Sequence, residues 1–503
     1  MLADSALAYF LADETCRTRA GGRGRMEFGI VSSGAYIPKH RLARSAIAAA
    51  HSWMAPALKA QAKGARAFCN FDEDSVTMAV EAVRDCLADG PERAGIEVLA
   101  LASTTLPYAD LSNAAIVAAA ADLPKAIRTL ESGGSQRAAT STLLQLLRGP
   151  ACDTLLVASE RPQARPASVQ EMQSGAGAAA LRLGCGDLVA RFLGGASLAA
   201  TLADHVRASD AEEGYFWEER WVRDEGYAKI APRVIRAALE DAGIGIDDID
   251  HFVMPSLLRQ GAAVAARAVG FAGKMADDLA ADGGHAGAAH GLLMLASVLE
   301  SARPGERILL VGFGQGADAL VFEATGRRPS SRGVSGALAR RVETTDYLRL
   351  LSHYDRIELD WGMRAESPEK AALTNAWRAE GQLAAFKAGR CPACGAVQFP
   401  QLPCCVSPGC GTPRDRFAQA SLADEPAKVL TYTADWLSYH PAPPLYVGFV
   451  QFENGARLYM ETTDAAAEEM DVGVPVAMVF RIKRIDPRSG FRRYFWKATP
   501  QEP

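Results

Sequence analysis

Five of the ten cysteines fall between Cys391 and Cys410. They are arranged as Cys391-Pro-Ala-Cys394-Gly and, after Cys404, as Cys405-Val-Ser-Pro-Gly-Cys410-Gly. Paired thiolates on glycine-containing turns can converge on one tetrahedral zinc ion, with Zn–S distances of about 2.3 Å. Cys404 competes with Cys405 for the third position. Cys405 is preferred because it leaves four residues before Cys410, enough to close a knuckle. Four thiolates leave no open coordination position, so the zinc expected on Cys391, Cys394, Cys405 and Cys410 is structural. A degenerate knuckle without metal is the alternative.

Two further stretches bear on chemistry. In Asp282-Gly-Gly-His285-Ala-Gly-Ala-Ala-His290-Gly291 a helical pattern follows to Ser301. That places His285 on a loop entering a helix N-terminus, where the dipole favours a neutral imidazole or an oxyanion. The plain alternative is a packed loop histidine, and His290, a turn later, reads as structural. Gly312-Phe-Gly-Gln-Gly316 follows the strand-like run Ile308–Val311. Its glycine spacing is wrong for a dinucleotide loop, and Ala317–Glu323 reads as a strand rather than a helix. It is expected to be a tight hairpin whose backbone can approach a pocket closely.

The elements that position these residues follow a repeated plan. A helical pattern over Asp74–Ala88, then Gly90, leads to the strand Val98–Leu101 and to Ser103-Thr-Thr105. A second helical pattern, Tyr227–Ala242, then Gly243 and Gly245, leads to the strand His251–Met254 and to Pro255-Ser256. Alternating helices and short buried strands imply parallel sheet covered by helices. Two such halves in about 300 residues imply an internally duplicated α/β domain. From Lys428 the pattern changes. Lys428–Thr433, Val447–Phe452, Arg457–Glu461, Val476–Phe480 and Tyr494–Lys497 are five short runs rich in β-branched and aromatic residues, which suits a small barrel of the OB type.

Composition bounds the rest. With 503 residues, 49% of them hydrophobic and 22% charged, the chain has ample material for several cores. No apolar run approaches the ~18 residues of a membrane helix. A net charge of −5 gives no overall pull toward nucleic acid. Residues 1–25 lack the basic start and long apolar core of an export signal and read as an extension, a short helix. With no disulfide framework either, a cytoplasmic location is expected. Residues 327–342, with two glycines and five arginines, read as a surface linker, and a helical pattern runs from Ala365 to Ala385.

The first 300 or so residues resemble the thiolase superfamily, in its hydroxymethylglutaryl-CoA synthase and ketoacyl synthase III branch. The resemblance rests on Asp72-Glu-Asp-Ser-Val-Thr-Met-Ala-Val-Glu-Ala82, Ser103-Thr-Thr-Leu-Pro-Tyr-Ala109, Ala158-Ser-Glu-Arg161, Gly175-Ala-Gly-Ala-Ala179 and the Gly312 hairpin. The remainder, with Val472-Gly-Val-Pro-Val476 and Tyr494-Phe-Trp-Lys497, resembles the zinc-ribbon and OB-fold module that accompanies such enzymes. The resemblance implies a layered α-β-α-β-α domain over 26–326, the linker 327–342, a helical connecting segment over 343–388, a zinc ribbon over 389–415 and an OB fold over 416–503. It also implies a homodimer.

The resemblance further maps functional positions, and this chain departs at each. The family's nucleophilic cysteine falls within Glu131–Gln136, at Gly134; its histidine falls at Pro255–Ser256; the synthase glutamate falls near Thr104; and His285 stands where ketoacyl synthases carry asparagine. The expected activity is therefore CoA-dependent acyl transfer that makes or cleaves a C–C bond beside a carbonyl, of the retro-Claisen type, on a β-keto or acyl-CoA substrate, without the cysteine. His285 is expected as the base, with Ser135 or coenzyme A itself as nucleophile. Thr104, Gly134, Ser256 and Gly314 are expected to line the substrate site, with backbone N–H groups at Gly133–Gly134 and Gly314 facing the oxyanion. The alternatives are a retro-aldol lyase on a β-hydroxyacyl-CoA and a non-catalytic scaffold for a partner enzyme.

Overall fold

A computed structural model describes residues 27–88, 92–216, 218–364 and 373–501. The expected extension over 1–25, the turn at Gly90 and the start of the helical pattern at Ala365 lie outside the described residues. The chain divides into two compact units. The first holds residues up to Phe68, Ala82–Ala114 and Ala126–Thr345; the second holds Cys69–Glu81, Ala115–Lys125 and the residues from Asp346 on.

The first unit carries a ten-stranded sheet made of two five-stranded halves. In sheet order one half runs Phe28–Tyr36, Gly177–Cys185, Thr154–Glu160, Val98–Ala102, Arg128–Ser132. The other runs Ala190–Ala199, Gly316–Ala324, Arg307–Phe313, His251–Val253, Lys274–Met275. Taken in chain order, both halves read first, fifth, fourth, second, third. The sense of pairing matches as well: antiparallel for the first two pairs, parallel for the last two. The duplication inferred from the repeated helix–strand plan is thus present in the topology. The halves meet where Gly29 and Ile30 pair with Arg191 and Ala190.

The faces of this sheet follow from the two-residue alternation of strands. In Arg307–Phe313, Ile308 and Leu310 belong to one buried cluster and Leu309 and Val311 to another. The first cluster also takes residues of the helices Ala138–Arg148 and His290–Leu299 and of both halves. Helix His290–Leu299 is buried nearly all round, as its uniformly apolar sequence dictates. The second cluster is closed by Val234, Ile235, Ala238 and Leu239 of helix Ala231–Ala242. Strand Arg128–Ser132 ends the sheet, and four of its five residues are exposed.

Residues 327–342 differ from the expected linker. Gly333–Ala339 is a helix whose Val334 is fully buried, and Val342–Thr344 pairs in parallel with His40–Ala43. The Glu300 carboxylate accepts the N–H of Val334 and holds the helix start. Arginine-rich composition reads as surface, but the buried Val334 and the carboxylates of Glu300 and of Asp85, the latter accepting the N–H groups of Arg332 and Gly333, hold the stretch onto the unit.

In the second unit, Val397–Gln398, Lys387–Arg390 and Ala418–Ser421 form a small sheet. A closed five-stranded barrel follows. Its order is Ala427–Val429, Pro475–Ile485, Arg492–Pro500, Arg457–Thr462, Leu445–Phe452 and back to Ala427–Val429. The five runs singled out by their β-branched and aromatic content all lie in it, the first being broken so that Thr433–Asp435 pairs on the outside. Alternate residues of Leu445–Phe452 face inward, Tyr446, Val450 and Phe452 among them. No described helix is long and apolar enough to cross a membrane.

Candidate active site and metal centre

At the carboxyl ends of the parallel strands the first unit encloses a cavity of about 700 Å³, counting its open mouth. Ligands in open α/β sheets bind at such ends. Gln136, Asp204, His205, Tyr227, Ser256, His285, Gly287 and Phe313 are among the lining residues, and no lining residue is cysteine.

His285 is placed by its backbone. Its N–H bonds the Gln173 carbonyl at 2.8 Å, and its carbonyl accepts from Gly175 at 3.0 Å, a bridge beside Ser174. Gly284 makes the approach possible: its φ is +78°, and a Cβ there would stand 2.7 Å from the Ser174 carbonyl oxygen. The helix itself begins five residues later, at His290, after a short turn over Gly287–Ala289. His285 thus sits on the loop that enters this helix, two residues before its first, 3₁₀ turn.

The imidazole's hydrogen bonds set its chemistry. Nδ1 of His285 accepts the N–H of Gly287 at 3.2 Å. The neutral ring must then carry its proton on Nε2. Burial, and His290 stacked on it with ring centroids 4.3 Å apart, push its pKa well below the ordinary imidazole range. With Nδ1 engaged by Gly287, Nε2 is the ring nitrogen left to act as a donor. His290 fits its structural reading. Nδ1 accepts from Ala286, Nε2 bonds the Asp278 carbonyl, and burial lowers its pKa to about 4.

The other expected residues divide. Ser256 lines the cavity, and its hydroxyl donates to the Leu258 carbonyl and bonds Tyr227. Tyr227 packs on Phe313, with centroids 4.5 Å apart, and burial raises its pKa. Ser135 is not a lining residue: its hydroxyl donates to the Gly314 carbonyl at 2.9 Å. That carbonyl also takes Arg137 Nε, while the Gly314 N–H bonds Gly316, so the expected oxyanion donor is already engaged. Gly134 has φ +79°, a Cβ there would meet nothing within 4 Å, and it does not line the cavity. From the loop Glu131–Gln136 it is Gln136 that reaches the cavity.

Thr104 holds a carboxylate rather than facing the cavity. Its N–H donates to Glu160 Oε1 at 2.5 Å and its hydroxyl to Oε2 at 3.2 Å, with Thr105 adding a hydroxyl at 2.8 Å. Burial pushes the pKa of Glu160 up to about 7, against the pull of these donors. Gly287 separates Glu160 from Gln136, since a Cβ there would meet the Glu160 Cγ at 3.1 Å and the Gln136 Oε1 at 3.3 Å.

Sequence reasoning missed Gln136, Glu160, Asp204, His205 and Tyr227. Asp204 Oδ2 lies 3.0 Å from Nδ1 of His205, and Gln315 Nε2 bonds the other carboxylate oxygen. Nε2 of His205 faces Gln136 Nε2 at 3.5 Å, and its ring stacks on Phe216. Two of the eight histidines directly follow an aspartate, His205 after Asp204 and His251 after Asp250, so adjacency alone did not single out His205.

In the second unit the Sγ atoms of Cys391, Cys394, Cys405 and Cys410 all lie within 4.8 Å of one another. Cys391 and Cys410 are 3.6 Å apart and Cys394 and Cys405 3.5 Å. Sulfurs tetrahedral about a zinc at about 2.3 Å stand a little under 4 Å apart, so the set fits a metal ion. Cys404 is outside the set; its backbone bridges to Pro413.

No protein-family model matches the chain. It is 28% identical over 339 residues to the hydroxymethylglutaryl-CoA synthase of Caldivirga maquilingensis, covering 64% of this chain and 95% of that one. It is 27% identical over 307 residues to that of Methanocella arvoryzae, covering 60% and 88%. Among solved structures, 3-oxoacyl-(acyl carrier protein) synthase III, FabH, of Pseudomonas aeruginosa superposes with a TM-score of 0.53 at 20% identity, over 61% of this chain and 99% of that one. Cerulenin-bound OleA of Xanthomonas campestris gives 0.52 at 21%, over 60% and 99%. The synthase relatives and the shared fold support the thiolase superfamily for this chain.

Proposed function

We propose that the chain catalyses Claisen-type carbon–carbon chemistry on coenzyme A thioesters, without an enzyme cysteine as nucleophile. The observation that carries this reading is a buried imidazole fixed as a donor, His285, in a cavity with no cysteine among its lining residues. A donor held there suits the enolate or tetrahedral oxyanion of a thioester. The synthase relatives, named for a CoA thioester, favour the same chemistry. They lend nothing to a retro-aldol lyase. Ser135 is committed to the Gly314 carbonyl, so direct attack by the coenzyme A thiolate is preferred over an acyl-serine. The test is product analysis. Incubation with 3-ketoacyl-CoA thioesters of several chain lengths should consume free coenzyme A and yield two acyl-CoA products. Products formed without consumption of coenzyme A would overturn the reading.

The second unit is read as a zinc ribbon followed by an OB fold, supported by the four-sulfur set and the closed barrel. Metal analysis of the purified chain should give one zinc per chain. Cys391→Ser and Cys405→Ala should lose it, because metal binding in such small modules is folding free energy. Cys404→Ala should keep it, and loss there instead would move the third ligand.

A homodimer paired through Arg128–Ser132 is also proposed. This strand ends its sheet with Leu130 48% exposed, an edge that another chain can extend. Light scattering should give about twice the 53.4 kDa of one chain. Monomer alone at micromolar concentration would count against it.

A further inference from the structure

The cavity holds a second imidazole whose protonation is opposite to that of His285. Asp204 is immobilised first: Gln315 Nε2 donates to one carboxylate oxygen. The other oxygen stands 3.0 Å from Nδ1 of His205. A carboxylate only accepts, so a neutral His205 carries its proton on Nδ1 and presents the Nε2 lone pair, toward which the Gln136 amide N–H donates at 3.5 Å. That lone pair faces the cavity beside the Gln136 amide, 3.5 Å away, and Phe216 stacked at 5.3 Å fixes the ring plane. Both side chains are largely shielded, His205 at 13% and Asp204 at 14% exposure.

We infer that Asp204 and His205 form the proton-transfer dyad of this cavity, with His205 Nε2 as the general base and His285 Nε2–H as the facing oxyanion donor. The inference rests on the Claisen-type reading and deepens it by naming the base. An imidazole backed by a carboxylate takes a proton at Nε2 while the carboxylate stabilises the cation that forms. One cavity thereby presents an accepting and a donating imidazole, the separation of roles that acid–base catalysis requires.

In the cleavage direction His205 Nε2 takes the proton of the coenzyme A thiol. The thiolate sulfur bonds to C3 of a 3-ketoacyl-CoA, and the C2–C3 bond breaks. Its electron pair passes into the thioester as an enolate, whose oxygen accepts from His285 Nε2–H. The proton on His205 then goes to C2. One 3-ketoacyl-CoA and one coenzyme A give two acyl-CoA molecules. Condensation is the reverse, with His205 taking a C2 proton and returning it to the departing thiolate.

The test uses the full chain and thiolysis of a panel of 3-ketoacyl-CoA thioesters by coenzyme A. His205→Ala and His205→Gln should each lower turnover by about 10²- to 10⁴-fold, the usual loss with a general base. Asp204→Asn should lower it as well, since an amide can donate to Nδ1 and favour the wrong tautomer. Millimolar imidazole should restore part of the activity of His205→Ala, which a purely structural role would not allow. Melting curves establish that the variants fold, and His205→Gln keeps most of the side-chain volume should the alanine variant fail. Full activity in His205→Gln, or a folded His205→Ala that imidazole does not rescue, would overturn the dyad and leave the Claisen reading standing. No turnover by the unaltered chain across the panel would overturn that reading, and with it the proton transfer assigned to His205.

Discussion

His285→Ala is expected to lower kcat/KM by about 10²- to 10³-fold, the loss that follows removal of one oxyanion donor. The Gly287 N–H occupies Nδ1, so only Nε2–H is left to work in the cavity. Burial and the stacked His290 keep the ring neutral far below neutral pH, so acidification through the neutral range does not charge it. Two consequences separate a donor from a base. His285→Asn, which restores an amide N–H, should recover a large part of the loss. The acidic limb of the pH–rate profile should survive in His285→Asn, because it does not arise from this ring. If the asparagine variant is as inactive as the alanine variant and the acidic limb vanishes with it, His285 is a base and the tautomer argued from Gly287 is wrong. Glu160 sets a different limit. Its pKa near 7 means that a buried charge appears as pH rises through neutrality. A folded-state pKa raised above the unfolded value gives stability that is full at acidic pH and is lost as pH rises through about 7.

How far the site could be read beforehand follows from where its residues come from. His285 was visible because Gly283, Gly284 and Gly287 surround it, and glycines crowded about a histidine mark a backbone forced into close approach. The clustered cysteines were visible because all four lie in one short stretch. Gln136 follows one strand of the sheet, Glu160 ends another and His205 lies beyond a third, and only the fold brings Gln136 and His205 to the cavity and Glu160 against Gly287. No spacing along the chain encodes that convergence. The resemblance map placed the nucleophile position at Gly134, whereas the residue of that loop lining the cavity is Gln136, next to the anchored Arg137. The loop is fixed by its hydrogen bonds: Arg137 and Ser135 both bind Gly314, and Arg137 pairs with the buried Asp318 at 2.8 Å. The duplication was legible because helix–strand order survives in each half. The helix at Gly333–Ala339 was not, because its one buried side chain, Val334, is hidden among arginines and glycines.

Lys497→Met is expected to destabilise the second unit by about 3–5 kcal/mol, the cost of leaving buried charge without its partner. Lys497 is 4% exposed and lies 3.0 Å from Asp72 and 3.1 Å from Glu461. Burial alone would lower its pKa, but these two carboxylates outweigh it and raise it. Asp72 also takes the Thr463 hydroxyl at 2.9 Å. Its neighbours Glu73 and Asp74 bind Arg481 at 3.0 Å and Arg492 at 2.7 Å. The acidic run Asp72-Glu-Asp74 is thus held by barrel cations in a largely dehydrated setting. A methionine would keep the aliphatic volume and remove only the charge. Glu461 adds a pH signature. Burial works against its ionised form, yet Lys497 and Lys483 hold its pKa below the usual carboxylate range. A depressed folded-state pKa contributes stability above the unfolded value, near 4.5, that is lost as pH falls through the folded one. Removing Lys497 removes most of that contribution, so the deficit of the variant should narrow as pH falls from about 5 toward 3. Adding Asp72→Asn to Lys497→Met should recover part of the loss, because paired charges couple. Urea unfolding of the full chain, followed by tryptophan fluorescence at pH 7 and at pH 4, measures all three. A Lys497→Met deficit under about 1 kcal/mol at pH 7 is the size of an exposed pair. It would mean that water, rather than Lys497, satisfies Asp72 and Glu461.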